Sequence, residues 1–155
     1  MKKMYLVISS RIKNEIIEIE ETIKRAQKAW ELIKEEDSLY IDSVALNLHN
    51  FYSGLERIFS LIAKEIDGKI IETPDWHKEL LLQMSIEIPY VRPAIISKEL
   101  KEKLENYRAF RHVVRNIYAY KLKPEKIRDL ITNLPIIWEE TKKYLLDFCN
   151  FLEMQ

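Results

Sequence analysis

The sequence predicts an all-α chain, a five-helix up-and-down antiparallel bundle forming one domain over residues 1–155. Three observations carry this. Only two glycines occur in 155 residues, 32% of the residues are charged, and the apolar residues recur at three- and four-residue steps rather than alternating.

The first helix, over residues 7–35, is drawn by Ile12, Ile16, Ile19, Ile23, Ala26, Trp30 and Ile33, with Glu and Lys between them. Asp37 and Ser38 are stop-and-restart residues. Leu39, Ala45, Leu48, Leu55, Phe59 and Ile62 then support a second long helix that ends near Gly68. Thr73-Pro74-Asp75-Trp76 predicts a capped start, with proline in the first turn of a shorter helix through Leu80, Leu81 and Met84. Pro89 and Pro93 predict an extended connector from Ile88 to Ile96. Ser97 caps a fourth helix whose inward stripe is Leu100, Leu104, Tyr107, Phe110, Val114 and Ile117. Pro124 and Glu125 open the fifth, which runs toward Phe151 with a kink or interruption at Pro135. The sequence holds no internal repeat, low-complexity tract or sustained heptad.

The charge balance bounds the function. With 25 Lys and Arg against 25 Asp and Glu, the chain has no global field to draw a polyanion, so a nucleic-acid site must be a local patch. A dimer can build such a patch at its seam. Cys149, the single cysteine, has no partner for a disulfide and reads as a small core residue in a reducing compartment. The apolar run within Met1 to Ser10 is too short for a signal peptide or a membrane span, so a soluble, cytoplasmic protein is expected.

The chemistry concentrates between Phe110 and Tyr120. On a helix, Arg108, Arg111, Arg115 and Tyr118 fall at i, i+3, i+7 and i+10 on one flank, with His112 and Asn116 one turn apart beside them. Arginines so close repel one another unless anions or carboxylates neutralise them. Guanidinium groups bind phosphate oxygens bidentately and imidazole moves protons near neutral pH, so the cluster suits work on RNA. The structural alternative is pairing with Glu99, Glu102 or Glu105 on neighbouring turns. His49, Tyr52 and Glu56 share a face of the second helix that can look toward the fourth, and a buried hydrogen-bonded trio is the plainer reading. Trp76 is expected to pack and His77 to be solvated or capping, while Trp30 and Trp138 are core or dimer-interface anchors. His49, His77 and His112 fall on different helices without zinc-site spacing, so neither a metal nor a cofactor is expected.

Arg111-His112-Val113-Val114-Arg115-Asn116-Ile117-Tyr118 resembles the signature of the HEPN superfamily, and in particular of HepT-like toxins paired with minimal nucleotidyltransferase antitoxins. That signature runs arginine, a polar residue, three variable positions, histidine, one variable position, tyrosine. Arg111, His112 and Tyr118 match it; Asn116 stands at the histidine. Leu48 to Phe59, Trp76 to Leu81 and Tyr120 to Lys126 also resemble one HepT-like subgroup.

The resemblance implies a HEPN-like bundle that forms a homodimer with both signature helices in a cleft. There it implies a metal-independent endoribonuclease, in which the ribose 2′-hydroxyl attacks the adjacent phosphate. Arg111, His112 and Asn116 would then be the catalytic positions, with Arg108, Arg115 and Tyr120 binding the RNA. Tyr118 maps to the tyrosine to which a cognate nucleotidyltransferase antitoxin adds AMP. An amide cannot titrate between pH 5 and 8, so activity needs another base, for which His112 is the candidate. A register starting at Arg115-Asn116 places Tyr120, not histidine, at the expected distance. Either the site is a modified nuclease, or the fold persists as a non-catalytic module that binds a nucleotide or RNA. A helical adaptor without a ligand is the third possibility.

Overall fold

A computed structural model describes residues 1–35 and 38–155. The expectation placed on Asp37 lies outside the described residues. Among the described residues five α-helices follow in order: α1 (Lys2–Glu31), α2 (Tyr40–Glu65), α3 (Trp76–Met84), α4 (Lys98–Asn116) and α5 (Pro124–Glu153), with a 3₁₀ turn at Ala119–Lys121 before α5. No β-strand occurs among the described residues, only an isolated bridge between Ile88 and Arg92. No helix among them is long and apolar enough to cross a membrane.

The bundle is antiparallel, as its cross-helix bonds show. Arg57 Nε on α2 donates to Glu15 Oε1 on α1 at 2.7 Å, and Gly54 sits against Ile19. At the start of α1, Ser9 Oγ donates to Glu153 Oε1 at the end of α5, 2.7 Å away; further along, Trp138 Nε1 donates to Glu20 Oε2 at 3.1 Å. Lys103 on α4 reaches Glu140 on α5 at 3.2 Å, and Tyr107 Oη donates to the Leu130 carbonyl at 2.7 Å. Helix α2 packs on every other helix, so its apolar residues form the centre of the core. Phe51 meets Tyr107 and Trp138 edge-on at 5.3 and 6.2 Å, tying α2 to α4 and α5. Cys149 is buried in that core, as its apolar surroundings predict.

Several boundaries differ from the sequence reading, each for a local reason. Helix α1 begins at Lys2, because Ile8 already packs in the core, and ends at Glu31, where the Leu32 N–H turns back to the Ala29 carbonyl. Ile33 still packs against the core, but from the loop. The Ser38 hydroxyl accepts the Tyr40 N–H at 3.2 Å as α2 begins. Gly68 ends the segment after α2 at φ 72, with the Lys69 N–H donating to the Ala63 carbonyl. Pro74 lies in the turn before α3 rather than in its first turn, and Asp75 makes no side-chain cap. The Ser97 hydroxyl caps α4 by accepting the Leu100 N–H at 3.0 Å. Helix α5 runs through Pro135 without interruption: the lost N–H is one bond, and the flanking Ile131, Leu134, Ile137 and Trp138 are all buried. The stretch from Ile88 to Ile96 is not simply extended. Pro89 and Tyr90 form a tight turn there, Tyr90 taking φ 68, and the Ile88 and Arg92 backbones bond each other.

Candidate functional site

Helix α4 turns its apolar face inward with Leu100, Leu104, Tyr107 and Phe110, which leaves Arg108, Arg111, His112 and Arg115 along the edge facing α2 and α3. The helix stops at Asn116. There the Asn116 amide donates to the His112 carbonyl at 2.7 Å, and Ile117 leaves the helix with φ −130 and ψ 159. Tyr118 is extended as well, and the chain turns at Ala119–Lys121 to reach Pro124 at the start of α5. This corrects the helical flank predicted for Arg108, Arg111, Arg115 and Tyr118: the three arginines share it, but Tyr118 does not. The physical cause is the short return to α5, aided by a β-prone Ile-Tyr pair.

The two tyrosines beyond the helix stand in solvent, 71% and 75% exposed at Tyr118 and Tyr120. Their rings stack at 6.0 Å with 21° between planes, and Lys121 Nζ lies 5.8 Å from the Tyr118 ring centre.

Each arginine has a different environment. Arg108 Nε donates to both oxygens of Glu105, at 2.9 and 3.0 Å, and its Nη2 joins the same carboxylate. Pairing with Glu105 was the structural alternative for the cluster, and it holds for Arg108. Arg111 reaches across to α2, where its Nε donates to Ser53 Oγ at 2.9 Å and its Nη1 stands 3.7 Å from Glu56 Oε1. Arg115 has no ion-pair partner among the described residues.

Glu56, expected on the face of α2 that looks toward α4, is the centre of the site, though with partners other than His49 and Tyr52. Its side chain is only 6% exposed, and its other oxygen, Oε2, lies 2.6 Å from Nδ1 of His77 on α3. Trp76 stacks on the His77 ring with centroids 3.5 Å apart. The expected trio on α2 does not form. Glu56 bonds His77 and faces Arg111, His49 Nδ1 meets Asn50 Oδ1 at 3.4 Å, and the buried Tyr52 hydroxyl has no partner among the described residues. Burial lowers the pKa of His49, and the nearby charges of Arg111 and Arg115 lower it further, against Asn50 and Glu56.

Beside these groups lies a cavity of about 310 Å³ lined by His77, Arg108, Arg111, His112, Arg115 and Asn116. No carboxylate stands among those lining residues, although the whole chain has zero net charge. Arg111 also lines a groove of about 560 Å³ with Ser53, Glu56, Arg57 and Trp76. Chemically, the cavity offers cations for phosphate oxygens and two imidazoles for proton transfer. Among the described residues, no group of three or more His, Cys, Asp or Glu side chains is placed to hold a metal ion.

The fold thus brings five of the predicted positions together at one cavity, Arg108, Arg111, His112, Arg115 and Asn116, and leaves Tyr118 and Tyr120 on the loop beyond it. Sequence reasoning missed Ser53 and His77 as parts of the site. One signal was available: a glutamate at position 56, amid the apolar positions Phe51, Tyr52, Leu55 and Phe59, demands a buried partner.

A family model described as HepT-like protein matches residues 43–152, a span that includes every residue of the cavity and of its Glu56 support. No curated protein and no solved structure matches the chain.

Proposed function

The chain belongs to the HepT-like family, and on that premise we propose that it is the toxin of a toxin–antitoxin pair, a dimeric endoribonuclease that needs no metal ion and is restrained by a nucleotidyltransferase antitoxin. The observation that carries this reading is the carboxylate-free cavity of Arg108, Arg111, Arg115, His77 and His112 in a chain without net charge. A pocket of that size suits one phosphodiester, and Arg115 brings it a guanidinium that no carboxylate engages among the described residues. Val113 and Ile117 are exposed beside it, which favours a second copy covering the end of α4 and bringing two such cavities into one cleft.

In this reading Arg111 binds the phosphate and stabilises the charge that builds on it, with Arg108 and Arg115 guiding the strand. The stacked Tyr118 and Tyr120 rings offer bases of a single strand an aromatic surface. The exposed Tyr118 is the acceptor for AMP: its phenolic oxygen loses its proton to solvent and bonds the α-phosphorus of ATP as the bond to pyrophosphate breaks. The added anion would stand beside Lys121, on the loop that follows the arginine helix. Intact mass after co-expression with a nucleotidyltransferase antitoxin tests this. An adduct on Tyr118 supports it, and an unshifted mass or an adduct elsewhere overturns it.

Cleavage of RNA in excess chelator by the purified protein tests the nuclease itself. Arg111→Ala is expected to abolish it, by about 10²–10³-fold, while Arg108→Ala weakens it. A second reading is favoured by Asn116, whose amide is engaged with the His112 carbonyl and cannot titrate. There the cavity holds a nucleotide or RNA end without turnover, and tight binding by a protein that never cuts would establish it.

A further inference from the structure

Three histidines lie near Arg111, and they are not equivalent. Among the described residues His49 meets only the adjacent Asn50, and it does not line the cavity. His112 lines the cavity from the exposed side of α4, with no fixed side-chain partner among the described residues. His77 lines it too, but is held twice: by Glu56 at 2.6 Å on Nδ1 and by the Trp76 ring at 3.5 Å.

A carboxylate has no proton to give, so the short contact makes Nδ1–H the donor, and in the neutral imidazole the lone pair is then on Nε2. His77 is 26% exposed at its side chain and lines the cavity, with Nδ1 taken up by Glu56 and Nε2 left without a partner from the described residues. The same Glu56 faces Arg111 through its other oxygen at 3.7 Å. One buried carboxylate therefore fixes where the imidazole stands relative to the guanidinium that would hold the phosphate. A base, its orienting acid and an anion-binding cation together form the arrangement that proton transfer at a bound phosphate requires.

We infer that His77, positioned by Glu56, is the base that takes the proton from the ribose 2′-hydroxyl, standing in for the histidine that the signature lacks at Asn116. This rests on the endoribonuclease reading above. The 2′-oxygen bonds the adjacent phosphorus as its proton passes to His77 Nε2. The bond from phosphorus to the 5′-oxygen breaks, and that oxygen takes a proton from the imidazolium of His112. The products are a 2′,3′-cyclic phosphate and a 5′-hydroxyl end. Glu56 is a positioning residue, and it also stabilises the imidazolium formed on His77. The other charged and titratable groups facing His77 are Arg108, Arg111, Arg115 and His112 from α4, and the arginines oppose that effect.

The test uses the full-length protein with a single-stranded RNA labelled at one end, in chelator. His77→Ala is expected to lose about 10²–10⁴-fold in cleavage rate, to keep salt-dependent RNA binding, and to recover part of its rate with added imidazole. Glu56→Gln is expected to move the acidic limb of the rate profile to lower pH, because the imidazolium loses its carboxylate. Wild-type cleavage with undiminished cleavage by His77→Ala overturns this inference alone. Lost RNA binding without imidazole rescue also overturns it, by making His77 structural. An acidic limb that stays in place in Glu56→Gln removes the role given to Glu56. A wild-type protein that cuts no RNA takes down the nuclease reading and this inference with it.

Discussion

The guanidinium of Arg92 closes on the carboxylate of Asp67, with Nε 2.6 Å from Oδ1 and Nη2 2.8 Å from Oδ2. The two side chains, 0% and 2% exposed, bracket the segment that carries α3 and therefore His77. Arg92 also donates to the carbonyls of Gln83, Ile86 and Pro93, and Gln83 Nε2 donates to Asp67 Oδ2 at 2.7 Å. Removing one partner strands a buried charge, so Arg92→Met is expected to cost about 3–5 kcal/mol. The measurement is the urea midpoint at unchanged m-value. Asp67→Leu combined with Arg92→Met should cost less than the sum of the single changes, because neither charge is then left alone.

Gly54 sets the distance between α1 and α2. A Cβ at that position would stand 2.6 Å from Ile19 Cγ1, inside any real contact, and Ile19 is itself buried. Gly→Ala in an open helix gains about 1 kcal/mol. Here the overpacking outweighs that gain, and Gly54→Ala is expected to be destabilising by about 1–3 kcal/mol in denaturant unfolding. Ile19→Ala, a buried truncation costly in itself, should cost less in the Gly54→Ala background than in wild type. A more stable Gly54→Ala protein would mean that α1 shifts freely.

Tyr52 carries its hydroxyl in the core without a partner among the described residues. Burial first, then Glu56, pushes its pKa well above the ordinary 10.0, with Arg108 opposing. A raised phenol pKa contributes stability that is fully present below about pH 10 and lost as the pH climbs above it, since the unfolded chain ionises first. Tyr107 is raised by burial in the same direction. Thermal melts from pH 7 to 11 should therefore fall steeply above pH 10, and Tyr52→Phe should flatten that fall. At neutral pH Tyr52→Phe is expected to be no less stable, gaining up to about 1 kcal/mol. Tyr107→Phe, which loses a 2.7 Å bond to the Leu130 carbonyl, is expected to lose about that much instead.

The helices were legible because their information is local. The period of Ile12, Ile16, Ile19 and Ile23 and the cap at Ser97 declare themselves within a few turns. The arginine flank was legible for the same reason, and so was its family resemblance. His77 was not, because its meaning comes from Glu56, 21 positions away on another helix. The turn at Pro89-Tyr90 was hidden likewise, since it is held by Arg92 reaching Asp67 across 25 positions. The end of α4 at Asn116 shows a third case: apolar spacing continued through Ile117, but the return to Pro124 demanded a turn.

Arg115 separates binding from stability in one measurement. Arg108 is committed to Glu105 and Arg111 to Ser53 and Glu56, whereas Arg115 lines the cavity with no ion-pair partner among the described residues. Losing a solvated, unpaired cation changes folding by no more than about 0.5 kcal/mol, so the urea midpoint of Arg115→Ala should match wild type. If its guanidinium neutralises one phosphate of a single strand, the slope of log affinity against log salt falls by about 0.7. Arg108→Ala should change that slope less, because Glu105 already cancels much of its charge. Equal slopes for wild type and Arg115→Ala would mean that the strand does not pass through this cavity. A drop confined to Arg108→Ala would move its path to the Glu105 side of α4.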